Sequence, residues 1–390
     1  MERTLFFLIG FFVLSSFSTT LLIDWLGFPI ALPELLLMPF LFFLKKFNFI
    51  KLSNNYLWFR LLYLWILLIA IALIVSNFSP FQILSFSRGF LYLFLIYTLF
   101  LKKNDFSLNN MLFLSLGSLF GWSVSSFLNL RFLMNSFKGE EVLSYGALLA
   151  IPLFISISII KKKYTLLFVG LILLISVSLT AGLRRQIFVV LLSLLLSFFF
   201  KIIKRPQTLS IFVAFSSIIF LFFYFYFGTI NSFLAKNAPI IHNRVIVKTL
   251  RSFEGGKTSG DNQRQSNFNV LYNDLDRYIF PRGFASKQTS KKSNIPVGRF
   301  IDFPLLLLSY IFGFPITLLL LIYFSKKALN NFMFYLKYNS EGAYVFLICY
   351  IIILFLCFLD GTFLTFIYAI PFTGYCLSRL SFYSKRINNY

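Results

Sequence analysis

Runs of about twenty consecutive apolar residues recur along most of this chain, and they leave it few folds to choose from. A run of roughly that length, coiled as an α-helix, covers the about 30 Å of hydrocarbon in a bilayer. A mean hydropathy of +0.82, with 58% hydrophobic and 13% charged residues, lies outside the range of soluble domains. Phe supplies 56 of the 390 residues. Phe and Leu are equally at home in lipid, so this bias reads as genome composition rather than function. The expected fold class is an all-α polytopic membrane protein.

Twelve membrane segments are drawn, at about residues 5–23, 28–44, 56–76, 81–101, 109–130, 143–160, 164–182, 187–200, 208–230, 303–324, 343–359 and 361–378. The second and eighth are short, and the last hairpin is broken only by Asp360-Gly361. Lys and Arg orient them, because cytoplasmic loops carry the excess of these residues. With the N-terminus inside, the inner connections hold 18 Lys/Arg: Arg3, Lys45, Lys46, Lys51, Lys102, Lys103, Lys161, Lys162, Lys163, Lys201, Lys204, Arg205, Lys326, Lys327, Lys337, Arg379, Lys385 and Arg386. The short outer loops hold four: Arg131, Lys138, Arg184 and Arg185. Both termini are therefore expected in the cytoplasm. A net charge of +23 would point to nucleic acid in a soluble protein. In a membrane chain the positive-inside bias takes it up, and no nucleic-acid partner is expected. Arg3 and the apolar run from Leu5 are not followed by a small-residue cleavage site, so they read as an uncleaved first helix.

Three regions result: nine helices over 1–230, a large outer loop over 231–300, and three helices over 301–390 with a cytoplasmic C-terminus. The loop holds twelve Lys/Arg against four acids, Glu254, Asp261, Asp274 and Asp276. Water-phase chemistry has to happen there, and its basic character suggests an anionic ligand, most commonly phosphate. The stretch from Ser259 to Leu271 reads as a capped amphipathic helix carrying Arg264, and Tyr278 to Ala285 as a turn containing Arg282. The three cysteines, Cys349, Cys357 and Cys376, have no metal-ligand spacing and read as buried inert thiols. No internal repeat at solenoid or propeller period appears.

Several charges need a reason. Arg88, in Ser85-Phe-Ser-Arg88, lies within the fourth segment, where a charge costs at least a few kcal/mol unless it snorkels or lines a wet pocket. Arg60, one turn into the third segment, is explained by snorkelling. Arg184 and Arg185 sit on a tight outer turn against the positive-inside rule. At a helix start, with free N–H groups, their guanidinium forks make an anion site; the bland alternative is pairing with outer-leaflet phosphates. Glu140 and Glu141 follow Lys138 in another outer loop, where adjacent acids are usually solvated but either is a candidate general base. His242 is the only histidine, and a lone His is more often structural than catalytic. Asp24 and the intramembrane Glu34 have no assigned role.

The order of these features resembles the bacterial O-antigen polymerase and O-antigen ligase superfamily, over about residues 140–325. Ala181-Gly182-Leu183-Arg184 stands where the family has a Thr-Gly-Ser-Arg-like turn, with Leu for Ser. Arg264 matches the Arg-bearing helix that opens the family's outer loop. Pro281-Arg282-Gly283-Phe284 matches its Pro-x-Gly-x-Gly-like turn, with Ala285 in place of the second Gly. Ligases then show His-Asn, nine residues and Gly-x-x-Gly; here Asp302-Phe303 precede Gly313-Phe-Pro-Ile316, so the His is Asp and the last Gly is Ile. Losing that His points away from the ligase branch and toward a polymerase.

The resemblance implies a metal-independent membrane glycosyltransferase of GT-C-like architecture in the bacterial cytoplasmic membrane. It would join undecaprenyl-diphosphate-linked oligosaccharides into O-antigen or capsular polysaccharide of the cell envelope, lipopolysaccharide included. Donor and acceptor would both be lipid-linked, with a chain-length regulator and a flippase as further partners. Arg88, Arg185, Arg264 and Arg282 would hold the diphosphate, and Arg184 and Arg264 would stabilise the leaving group's charge. Asp302, at the position of the ligase His, would be the general base or an N-cap, with His242, Glu140 and Glu141 as alternatives. No outer Asp-x-Asp metal cluster appears (Asp274-Leu-Asp276 is nearest), so arginine replaces metal and no cofactor is expected. The rival classes are a lipid-linked oligosaccharide flippase or other transporter, an O-antigen ligase, and a non-catalytic envelope scaffold.

Overall fold

In the computed structural model of the chain, the structure describes residues 2–13, 23–25, 28–30, 55–76, 78–101, 106–132, 147–180, 184–203, 278–284, 304–359 and 369–386, with a few single positions between 232 and 269. These form eleven helices: α1 Glu2–Val13, α2 Tyr56–Val75, α3 Pro80–Phe100, α4 Leu108–Phe132, α5 Ala147–Ile160, α6 Tyr164–Thr180, α7 Arg184–Ile202, α8 Pro304–Phe312, α9 Phe314–Tyr338, α10 Glu341–Leu359 and α11 Ile370–Arg386. One antiparallel ribbon joins them, β1 Ile23–Trp25 on β2 Phe28–Ile30, in the register Asp24↔Pro29. That ribbon occupies the end of the first expected span and the start of the second. Positions 31–44 and 208–230 lie outside the described residues.

Helix starts follow side-chain chemistry. Asn55 caps α2 by accepting from the Leu57 N–H at 3.2 Å. Ser79 and Gln82 close a reciprocal capping box on α3, with Pro80 in the first turn. Proline costs nothing there because its missing N–H would be unpaired anyway. Among the described residues α2 and α3 are long and apolar enough to cross a bilayer, and the bent pair α8–α9 passes as a third when its two pieces are taken together. The spans expected at 143–160, 164–182, 187–200 and 343–359 appear as shorter apolar helices α5, α6, α7 and α10.

The centre of the bundle is α5, whose residues from Leu148 to Ile159 are buried throughout. It packs against α4, α6, α7 and α10. A helix apolar on every side has no solvated face to offer and belongs inside. Beside it, α1 lies along α4 backbone to backbone. A Cβ at Gly10 would strike Leu114 O, and one at Gly117 would strike Phe7 O. Small residues at such a crossing let the helices approach closely, which is how helices associate in lipid. By contrast α2 is largely open, with Tyr63 70% and Ile74 84% exposed.

One end of the bundle is tied together by polar side chains. Tyr344 donates to Ser197 O at 2.6 Å, Tyr335 to Phe200 O at 3.0 Å, and Asn331 to Leu380 O at 2.7 Å. Lys201 donates to the Tyr164 hydroxyl at 2.8 Å, and Lys161 pairs with Glu341. This is the side to which the Lys/Arg distribution assigns the cytoplasm.

Two expectations change here. The last segment was drawn to residue 378, but α11 continues to Arg386. Arg379 is thus a wholly buried helix residue rather than a loop charge. Its guanidinium donates to Phe100 O at 3.1 Å, at the end of α3, and lies 4.0 Å over the Phe382 ring. A guanidinium at a helix C-terminus supplies a donor to a terminal carbonyl and favours the dipole. Replacing Arg379 with Lys keeps the charge but loses the planar fork and its stacking. The expected cost is about 1–2 kcal/mol, seen as a lower melting temperature of the purified protein in detergent. An unchanged melting temperature would remove Arg379 from the packing of α3 on α11.

Likewise, the span drawn as one helix over 303–324 is broken. The two pieces, α8 and α9, meet at Gly313 with a bend of 118°. The pair Gly313 and Pro315 is the sequence signal for it.

Candidate functional site

The break creates the most constrained geometry in the described part of the chain. Gly313 has φ 83° and caps the start of α9 without any side-chain hydrogen bond. A helix that stops leaves its last carbonyls without intrahelical donors. Here the turn following Tyr278 supplies donors: Arg282 N–H reaches Tyr310 O at 2.9 Å and Gly283 N–H reaches Ile311 O at 3.3 Å. Residues about thirty positions apart in sequence are thereby locked together.

The turn is wedged on every side. Gly283 has φ 72°, and a Cβ there would collide with Leu68 O and with Ala72 of α2. A Cβ at Gly313 would meet Ile279 O at 2.8 Å and Pro281 at 3.1 Å. Phe284 is fully buried and packs on α3, its ring 5.3 Å from Phe90 and 6.4 Å from Phe86. Tyr278, buried as well, makes an edge contact with Tyr310 at 5.8 Å.

Arg282 is half-buried in this turn. The first N–H groups of α9 start at the same break. The turn that carries Arg282 thus adjoins helix-start N–H groups, which are chemistry suited to an anion.

Arg88 lies on α3, which touches the turn through Phe86 and Phe90. At 100° per residue it falls on the opposite side of that helix from those two rings. The structure therefore places Arg88 and Arg282 on contacting elements but not side by side. The Arg88 Nε and Nη1 atoms are buried, so the protein covers this guanidinium.

Arg184 and Arg185 begin α7, as the sequence predicts for a helix start. Their helix packs against α5, α6 and α10. Arg264, Asp302, His242, Glu140 and Glu141 lie outside the described residues, although α8 starts at Pro304, two positions after Asp302. The residues missed from sequence are Tyr278 and Tyr310, whose rings hold the turn. Their signal was an aromatic at each end of the Arg282 and Gly313 segments, which looks like ordinary lipid-facing composition in a chain with this much Phe and Tyr. No family model matches the chain, and no curated protein or solved structure matches it either.

Proposed function

We propose that the chain is a membrane glycosyltransferase of the O-antigen polymerase type, with twelve spans in GT-C-like arrangement and residues 231–300 facing outward. It transfers a growing glycan from one undecaprenyl diphosphate to the oligosaccharide on another, at the outer face of the cytoplasmic membrane. The observation that carries this reading is the docking of Pro281-Arg282-Gly283-Phe284 into the break at Gly313. These are two of the short turns on which the family resemblance rests, and they meet in space across about thirty residues.

In this scheme the arginines do the work of a metal. Arg264 and Arg184 neutralise charge as the glycosidic bond to the diphosphate breaks, and Arg88, Arg185 and Arg282 hold the ground state. Asp302 accepts the proton of the acceptor hydroxyl. Purified protein given a synthetic undecaprenyl-diphosphate oligosaccharide should make polymer. Arg184→Lys and Arg264→Lys, which keep charge but lose the bidentate fork, should each lower that rate about 10²-fold or more. Wild-type rates in both variants would remove these residues from the mechanism.

The broken helix α8–α9 favours one other reading. Transporters build substrate sites from discontinuous helices, so a lipid-linked oligosaccharide flippase is the second candidate. Deleting the gene separates them. Surface polysaccharide reduced to single repeat units identifies the polymerase, whereas loss of all surface sugar identifies the flippase.

A further inference from the structure

Behind the break lies a half-open cavity of about 410 Å³, lined by α2, α3, α8, α9, α10 and α11. Among the described residues, no charged side chain lines it. Leu93, Phe94, Leu321, Phe324, Leu354 and Leu377 make its middle. Along α3 it runs from Phe90 to Tyr97, about 10 Å at the helical rise. Hydroxyls occur towards its ends. Thr317 and Thr373 stand at the end near the break, and Tyr97 and Tyr350 at the other. Tyr97 is engaged with Ser381 at 3.1 Å and Tyr350 with Ser325 at 3.0 Å. The Thr317 hydroxyl is buried and has no hydrogen-bond partner among the described residues.

Water does not suit this space, because a buried water needs two to four polar partners and the described residues of its middle offer none. Left empty, its walls would forfeit the dispersion contacts that close packing supplies. Two of the walls, α2 and α9, also carry outward apolar side chains such as Tyr63, 70% exposed, and Leu319, 64% exposed. The cavity is thus one helix layer from lipid. An apolar slot of this length, unsuited to water and beside hydrocarbon, suits an alkyl or isoprenyl chain. We infer that it is a binding site for one hydrocarbon chain of a lipid, entering from the bilayer with its polar head toward the break, where Thr317, Arg282 and the start of α9 lie.

Two lipids carry such a chain: a bilayer phospholipid and, on the functional reading above, a polyisoprenyl carrier. The site itself does not depend on that reading. The test uses the full-length protein in nanodiscs with two photoprobes, a sugar-free diazirine-bearing polyisoprenyl phosphate and a diazirine-acyl phosphatidylglycerol. At least one should label peptides spanning 90–97, 317–324, 350–357 and 373–377 in preference to outward faces. Labelling should fall about tenfold in Leu93→Trp and, independently, in Leu321→Trp, which fill the slot. It should persist in Leu319→Trp, on the outer face. Competition by unlabelled polyisoprenyl phosphate alone assigns the chain to the carrier, and competition by phospholipid alone assigns it to the bilayer; either outcome supports the site. Label spread evenly over α2 and α9, or unchanged by both filling variants, overturns it. Focused labelling in a protein that makes no polymer would sink the enzymatic reading while leaving the cavity assignment standing.

Discussion

Gly283→Val should cost the protein more stability than any other single change near the break. Two effects act at one atom. The left-handed φ of 72° is a conformation that a β-branched residue adopts only under strain, and the new Cβ would occupy the space of Leu68 O and Ala72. Neither neighbour is a flexible side chain. Relief requires the turn to leave α2, which would withdraw the Arg282 and Gly283 N–H groups from the last carbonyls of α8. Strain and orphaned carbonyls together come to roughly 3–5 kcal/mol, at the diagnostic end for a point substitution. The measurement is thermal unfolding in detergent beside Phe280→Val, a neighbouring residue 76% exposed that should tolerate change. Equal melting temperatures for the two variants would show that the turn does not depend on its contact with α2.

Asp302→Asn should abolish polymer formation while leaving the protein folded. Asparagine keeps an oxygen able to cap a helix start, so the structural role, worth about 1 kcal/mol, is retained. It does not accept a proton at neutral pH, so the acceptor hydroxyl would lose its base and the rate should fall about 10²–10⁴-fold. Unchanged polymer with unchanged expression would leave Asp302 as a cap. The search for a base would then pass to His242, Glu140 and Glu141.

Length and hydropathy made most of the helices legible. The helices over 56–75, 80–100 and 108–132 begin and end within two residues of the expected positions, because polar caps bound long apolar runs there. The break at Gly313 was visible as a residue pair but was absorbed into a continuous span, since apolar composition continues through it. Only the turn that caps α8 reveals why the helix stops, and that partner comes from another part of the chain. Arg379 was misread for the opposite reason. Its charge marked it as a loop residue, yet Phe100 O and the Phe382 ring make a buried guanidinium tolerable. Of the proposed site, the turn at Arg282 and the start of α7 could be anticipated. The mutual placement of Arg88 and Arg282 could not, because it depends on how α3 is rotated about its axis.

The polar stitching of α5, α6, α7, α9, α10 and α11 at one end of the bundle has a mechanical consequence. Side-chain hydrogen bonds such as Tyr344 to Ser197 and Asn331 to Leu380 act as rivets, since each joins two helices through buried groups that have no water as a substitute partner. At the opposite end, among the described residues, two backbone hydrogen bonds and the Tyr278–Tyr310 ring contact join α8 to a single turn. A bundle fastened in this way should open like a pair of tongs, with the riveted end as the pivot and the widest gap where Arg282 and the start of α9 lie.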